Sequence, residues 1–318
     1  VTKTGASNTA APHVVILMAT YEGAECLRAQ LDSFVAQTHG NWSLLVGDDG
    51  SRDATREILA GFAAEGHALR LIEGPRRGAA ANFMALLREA AQSAPPGAWI
   101  AFSDQDDVWL PDRLARGIAA LSAAPGQGPG LFCSRTFIVD HALQTPRLSV
   151  PRPRPLGFRN ALVQNVVAGN TILLDAAGAA LVLAASAEAA RVVVHDWWVY
   201  QILSGCGGRI VHDDTPTLLY RQHAANEIGA NDSRRAQMQR LGMLLRGTMR
   251  DWTTINIAAL SGSRHRFTPE NRALFDAFAA LRGRSVPARL IAFARLRLYR
   301  QTRISTLALW VSVLVGLM

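Results

Sequence analysis

The 318-residue chain is poor in cysteine, nearly devoid of lysine, and without an apolar run long enough to cross a bilayer. Its three cysteines, Cys26, Cys133 and Cys206, lie far apart and form no C-x-x-C pair. That argues against a zinc site or a dithiol exchange centre and fits a reducing, cytosolic setting. The polar segment 1–12 leads into an apolar run, 14–19, too short for the core of a signal peptide. The closing segment, 304–318, carries no charge but falls short of the roughly 20 residues that a spanning helix needs. Two nucleotide signatures are also missing: no G-x-G-x-x-G follows the first apolar run, and no G-K-[ST] occurs anywhere. A dinucleotide dehydrogenase and a P-loop enzyme are therefore set aside.

What is present is a chain that is 49% hydrophobic, enough to bury a sizeable core and to exclude a disordered or fibrous protein. The formal charge of +8 first suggests a nucleic-acid partner. Position removes that reading, because the stretch 264–303 holds ten arginines against Glu270 and Asp276, so the whole excess sits in one segment. Aromatic residues are not interleaved with basic ones across the folded half, and no nucleic-acid partner is expected. Lys3 is the only lysine, a bias that coding composition explains as readily as function.

Along the first half, short apolar runs at 14–19, 43–48, 69–72 and 99–103 alternate with segments of helical period at 24–37, 53–63, 80–92 and 112–121. This alternation predicts an α/β domain with a mostly parallel, Rossmann-like sheet flanked by helices. The second half predicts a turn-rich loop able to move at 146–155, a small strand at 171–174, a helix at 175–189, and a helical C-terminal region from residue 232. The expected division is a flexible segment 1–12, a catalytic domain 13–231 and a helical region 232–318.

Ligands of such sheets bind beyond the carboxyl ends of the strands. There the sequence places Thr20-Tyr21-Glu22, Asp48-Asp49-Gly50-Ser51 and Asp104-Gln105-Asp106-Asp107. An isolated D-x-D is more often a solvated turn before a helix, but carboxylates gathered at two strand ends suit a hard cation, Mg²⁺ or Mn²⁺, that keeps positions open for phosphate oxygens. Asp53 suits a helix N-cap. His195, His212, Asp213 and Asp214 have metal-ligating side chains but fall on two elements, which argues against a shared ion.

The runs Met18-Ala19-Thr20-Tyr21-Glu22, Val46-Gly47-Asp48-Asp49-Gly50-Ser51-Arg52-Asp53 and Phe102-Ser103-Asp104-Gln105-Asp106-Asp107-Val108-Trp109 together resemble the family 2 glycosyltransferases of GT-A fold. Three later runs, Val167-Ala168-Gly169-Asn170-Thr171, His195-Asp196-Trp197-Trp198 and Tyr220-Arg221-Gln222-His223, resemble its bacterial rhamnosyltransferase-like branch. The resemblance covers residues 14–231.

It implies inverting transfer of a sugar from a nucleotide diphosphate sugar to an acceptor hydroxyl, with a divalent cation on the diphosphate. Donor contacts map onto Thr20, Tyr21, Glu22, Asp49, Asn82 and Asp104; the metal maps onto Asp106, with His223 as a further ligand. Asp196 is the expected base, with helix N-capping as its structural alternative. Gly169, Asn170, Trp197 and Trp198 are the expected acceptor side, one tryptophan buried and the other forming an apolar platform for a sugar ring. Arg76, Arg77 and Arg221 are candidates for the diphosphate. The branch favours dTDP-L-rhamnose, with a UDP-sugar open, and a cell-surface glycan such as lipopolysaccharide or a lipid-linked acceptor. The alternatives are a nucleotidyltransferase, which lacks its glycine- and lysine-rich loop here, and a membrane-associated binding protein that has lost its chemistry. Arg289, Arg295, Arg297, Arg300 and Arg303 run into the apolar tail, a pattern suited to an anionic membrane surface and to a cytoplasmic protein held at the inner face of the membrane.

Overall fold

The computed structural model describes residues 11–222 and 248–316. The main sheet is assembled from β1 (Val14–Thr20), β2 (Trp42–Asp48), β3 (Leu69–Glu73), β4 (Trp99–Ser103), β6 (Gly130–Ser134), β9 (Leu173–Leu174) and β10 (Arg209–Asp213). Its order is β10-β6-β9-β4-β1-β2-β3, parallel except where β9 inserts antiparallel between β4 and β6. The expected strand at 171–174 is thus shorter: a 3₁₀ turn at Gly169–Thr171 precedes two strand residues. A small second sheet is formed by β5 (Val108–Trp109), β7 (Phe137–Val139), β8 (Arg147–Leu148) and β11 (Leu218–Arg221).

β1 lies inside the sheet between β4 and β2, and its apolar run is continuous because both faces are covered. Val15 and Leu17 enter one core; Val14, Ile16 and Met18 enter the other. The second core receives Leu27, Leu31 and Phe34 of α1 (Ala24–Val35) and Leu59 and Phe62 of α2 (Thr55–Ala64). Those residues recur at helical spacing, so each helix lays one apolar stripe on the sheet. The first core receives Phe83, Leu86, Leu87 and Ala90 of α3 (Ala79–Ser93) and Val182 of α6 (Ala176–Ser186). It also takes up α7 (His195–Gly205), nearly all of whose residues are buried. α4 (Arg113–Ala123) and the short α5 (Phe158–Ala161) complete this part.

The described C-terminal segment is helical: α8 (Thr248–Ser263), α9 (Pro269–Ala279), α10 (Val286–Leu296) and α11 (Arg303–Leu314). Leu260, Phe275, Phe293 and Leu309 join the core that contains α7, so these helices extend the catalytic core and do not build a second one. Among the described residues no helix is long and apolar enough to cross a membrane. The 146–155 loop, expected to be loose, is pinned: the Arg135 guanidinium donates to the Ser149 carbonyl, Arg152 Nε to the Val166 carbonyl at 3.0 Å, and the Arg154 N–H to Gln301 Oε1 at 3.0 Å. The cysteines carry free thiols.

Candidate active site

Register brings the three carboxylate-bearing strand ends to one edge. Thr20 pairs with Asp48 across β1 and β2, and Met18 pairs with Ser103 across β1 and β4. Thr20 is buried and its hydroxyl donates to Asp48 Oδ1 at 3.2 Å, while Asp48 Oδ2 accepts the Ser51 N–H at 3.1 Å. Glu22, held at positive φ, donates its N–H to Ser51 Oγ at 2.9 Å and accepts the Arg52 N–H at 2.8 Å. Asp53 accepts N–H groups from both Thr55 and Ala24, so it ties the starts of α2 and α1 together. The loops after β1 and β2 therefore form one clamped unit.

Asp49 organises the next loop. Its Oδ1 accepts the Arg76 N–H at 2.6 Å and its Oδ2 the Gly78 N–H at 2.8 Å, and a side chain at Gly74 would collide with Oδ1. Asn82 departs from the expected donor contact. It is buried beneath β2, and its Nδ2 donates to the Gly47 carbonyl at 2.6 Å. It supports the strand end that carries Asp49. Tyr21, by contrast, is 58% exposed, which leaves its ring available to stack on a planar group at the mouth of the site.

A contact invisible to motif reading joins this unit to the acidic turn. Gln105 Oε1 accepts the Tyr21 N–H at 2.9 Å and Gln105 Nε2 donates to the Tyr21 carbonyl at 2.9 Å. A Cβ at Gly23 would stand 2.2 Å from Gln105 Oε1, so glycine is what lets the amide in. The residue between Asp104 and Asp106 thus staples the β1 loop to the turn after β4. Gln105→Leu removes both bonds, and their combined worth implies that KM for the donor rises about tenfold with a smaller change in kcat. Steady-state kinetics of the variant checks that split; an unchanged KM would refute the staple.

Behind the turn, Asp107 is fully buried. Asn170 Nδ2 donates to its Oδ2 at 2.5 Å and the Arg221 N–H to its Oδ1 at 3.3 Å. Burial, then the charges of Asp104 and Asp106, push the Asp107 carboxyl well above the usual range. Arg113 lies beneath, donating to the Asn170 carbonyl at 2.6 Å and stacking 3.5 Å over the Trp109 ring; burial pulls its guanidinium down to about 9. Arg221, a diphosphate candidate by sequence, is also buried and donates from Nε to the Asp106 carbonyl at 2.8 Å. It braces the turn from within. Asn170 is likewise a strut and not an acceptor contact, because its amide is buried against Asp107. Asn170→Ala leaves the Asp107 carboxyl without its side-chain donor and should cost about 1–3 kcal/mol of stability, read as a lower urea midpoint.

Asp196 occupies the first turn of α7. It does not N-cap the helix, whose N-cap is Val194. Its Oδ2 accepts the Gly169 N–H at 3.1 Å and its Oδ1 the Trp197 N–H at 2.6 Å, and the nearby Asn165 side chain also favours the ionised form. Burial outweighs these bonds and raises the carboxyl to about 6. Gly169, expected at the acceptor, is buried and acts through its N–H; its missing side chain leaves room for His195, whose Nε2 would lie 2.7 Å from a Cβ there. His195 stacks on Phe83 at 3.7 Å and is driven down to about 3 by burial, which keeps it neutral. The tryptophans correct the sequence expectation outright: both are buried. Trp197 Nε1 donates to the Ala161 carbonyl and its ring meets Trp252 of α8 edge-on, whereas Trp198 fills the main core. Neither can offer a platform to a sugar.

Gly169 and Asn170, adjacent in the chain, hold Asp196 and Asp107 respectively. One dipeptide therefore couples the candidate base to the acidic turn. Among the described residues no three metal-ligating side chains are arranged around a common point. His223 lies outside the described residues. A magnesium-type ion on a diphosphate needs only one or two protein carboxylates, the phosphates supplying the rest, and the partly exposed Asp104 and Asp106, whose charges act on the buried Asp107, fit that donor set.

Carboxylates at the carboxyl edge of a mostly parallel sheet in this order, with the half-buried Asp196 beside them, match the arrangement expected of a glycosyltransferase of GT-A fold. Residues 15–170 match the family model described as Glycosyl transferase family 2, and this segment is a family 2 glycosyltransferase domain. It is 26% identical over 249 residues to the dTDP-rhamnosyl transferase RfbG of Shigella flexneri, covering 71% of this chain and 78% of that protein. It is 33% identical over 108 residues to WfgD of Escherichia coli, a UDP-Glc:alpha-D-GlcNAc-diphosphoundecaprenol beta-1,3-glucosyltransferase, covering 34% of this chain and 40% of that one. In fold it is similar to residues 1–349 of TarS from S. aureus, with a TM-score of 0.52 at 14% identity, over 83% of this chain and 69% of that chain.

Proposed function

We propose that the protein transfers a sugar with inversion, L-rhamnose from a dTDP donor in the favoured case, to a hydroxyl of a cell-surface glycan or a lipid-linked acceptor. The observation that carries this reading is the coupling of Asp196 to the acidic turn through Gly169 and Asn170. An inverting displacement needs a base on the acceptor side and a charge-stabilising centre on the leaving-group side, and these two must be held in fixed relation. The likeness to RfbG supports the rhamnosyl donor.

Asp106, with Asp104 beside it and His223 as a further candidate, would hold Mg²⁺ or Mn²⁺. When bound, the cation supplies Lewis acidity toward the leaving nucleoside diphosphate. Tyr21 stacks on the base, the clamped loop from Thr20 to Asp53 shapes the nucleotide pocket around Asp49, and Asp104 takes the ribose. Asp196 accepts the acceptor hydroxyl proton on Oδ1 or Oδ2. A base must be ionised to work, so turnover should rise with pH through about 6 and level off above it. A pH–rate profile flat from pH 5 to 8 would remove Asp196 from that role.

The reading as a whole is tested by nucleoside diphosphate release from dTDP-L-rhamnose, UDP-glucose and other donors, with Mg²⁺, Mn²⁺ or a chelator, in the presence of lipid-linked acceptors. Metal-dependent release from the dTDP donor supports it. Release from UDP-glucose alone would replace the sugar, and no release from any donor would overturn the reading.

A further inference from the structure

We propose that α10 and α11 form a docking face for an anionic phospholipid bilayer, and that this face is mechanically joined to the acceptor side of the catalytic site. The inference is independent of which sugar is transferred.

α11 has two apolar faces. Leu309 and Val313 are buried, and Trp310 meets Phe293 of α10 edge-on at 4.7 Å. The other face carries Ile304, Leu307, Val311 and Leu314 at a spacing of three, four and three residues, which places them along one side of the helix. All four are exposed, Ile304 at 83% and Leu307 at 66%. Ile291 of α10 is exposed as well. A helix of 12 residues is only about 18 Å long, so α11 can lie in an interface but not span a membrane.

Charge selects the occupant. From residue 277 to the end the sequence has seven arginines and no aspartate or glutamate. Arg284, Arg295, Arg297 and Arg303 are exposed. A second copy docking by the same face would bring these arginines against their own counterparts with no carboxylate to offset them. An anionic lipid surface meets both features, apolar burial for the stripe and phosphate for the guanidinium groups.

The face is bolted to the site. Arg154 Nη1 donates to the Arg300 carbonyl at 2.9 Å and to Thr306 Oγ1 at 3.2 Å. The Gln301 N–H donates to Gln164 Oε1 at 2.8 Å, and Arg300 Nε to the Val163 carbonyl at 3.0 Å. Farther along the same segment, the Gly169 N–H donates to Asp196 Oδ2 at 3.1 Å. A bilayer that holds α11 therefore holds the segment that positions the candidate base, as a lipid-linked acceptor requires.

The test uses the full chain in vesicle co-sedimentation, comparing phosphatidylcholine with an equal mixture of phosphatidylcholine and phosphatidylglycerol. Binding is expected only to the mixture, weakened by high salt. The pair Ile304→Asp and Leu307→Asp, and separately Arg295→Glu and Arg297→Glu, should each lower partitioning at least about tenfold, an expectation based on roughly fivefold for each arginine near an anionic surface. Thermal melting confirms that the variants fold, and light scattering reports the oligomeric state. Equal partitioning of variants and wild type, no binding to the mixture, or a dimer that Leu307→Asp dissolves without any vesicle binding would each overturn the proposal. Nucleoside diphosphate release without vesicles stays as a separate readout, so failure here and failure of the catalytic reading are distinguishable.

Discussion

Asp196→Asn should lower kcat by about two to four orders of magnitude while leaving the donor KM near its wild-type value. The amide is nearly isosteric, and its oxygen can still accept the Gly169 N–H while its NH2 gives up the bond to the Trp197 N–H, so the contact to the 169–170 dipeptide is kept. What is lost is basicity, since the amide cannot take a proton from the acceptor hydroxyl. The expected signature has two parts. Turnover collapses, and the inflection near pH 6 vanishes from whatever activity remains, because burial of this carboxyl is what set that inflection. Thermal melting should show a folded variant. Retained turnover would place the base elsewhere.

Asp106→Ala should produce a loss of similar size by a different route. The departing nucleoside diphosphate develops negative charge, and the carboxylates of this turn are the groups available to hold a cation against it. Removing that stabilisation forfeits several kcal/mol, about a thousandfold in rate or more. Asp106 faces solvent in part, unlike Asp107, so its side chain can be cut back without opening the buried Asp107–Asn170–Arg113 network. The variant should also lose its rate response to added Mg²⁺ or Mn²⁺. A variant that still responds to metal with wild-type turnover would transfer the role to Asp104 or to another residue.

The two experiments separate the halves of the reaction, and the geometry predicts that cutting their connection at residues 169–170 disturbs both. Gly169 and Asn170 carry neither charge nor reactive group, yet one bonds to Asp196 and the other to Asp107. Double-mutant analysis of Asn170→Ala with Asp196→Asn would measure that coupling directly.

Much of this arrangement is legible in the sequence. The runs that became β1, β2, β3 and β4 are bounded to within a residue or so, because the inner strands β1, β2 and β4, covered on both faces, are largely apolar and the flanking helices must show a stripe. Carboxylates are visible at the strand ends for a similar reason, since charge is excluded from the strands and appears where they stop. Burial of particular side chains was harder to read. Trp197 and Trp198 sit beside Asp196 in the chain, which suggested a place at the acceptor, but α7 is enclosed among α3, α5, α6 and α8. Asn82 and Asn170 look like polar contacts for a ligand, and each is spent on the protein's own backbone or carboxylate. Gln105 has no motif value by composition; only the approach of two loops far apart in sequence gives its amide a purpose.

The sequence by itself determined the alternation of strands and helices, the edge at which chemistry must occur, the carboxylate chemistry available there, and the confinement of excess positive charge to one end. Those properties follow from local spacing and residue type. Tertiary structure decided which polar side chains remain open and which are consumed in support, which carboxyl is raised by burial, and which face of the last helix is left uncovered. Each depends on what packs against a residue from elsewhere in the chain. The +8 charge shows the difference: its position was readable at once, but only packing shows an apolar stripe exposed on a segment that has arginines and no carboxylate.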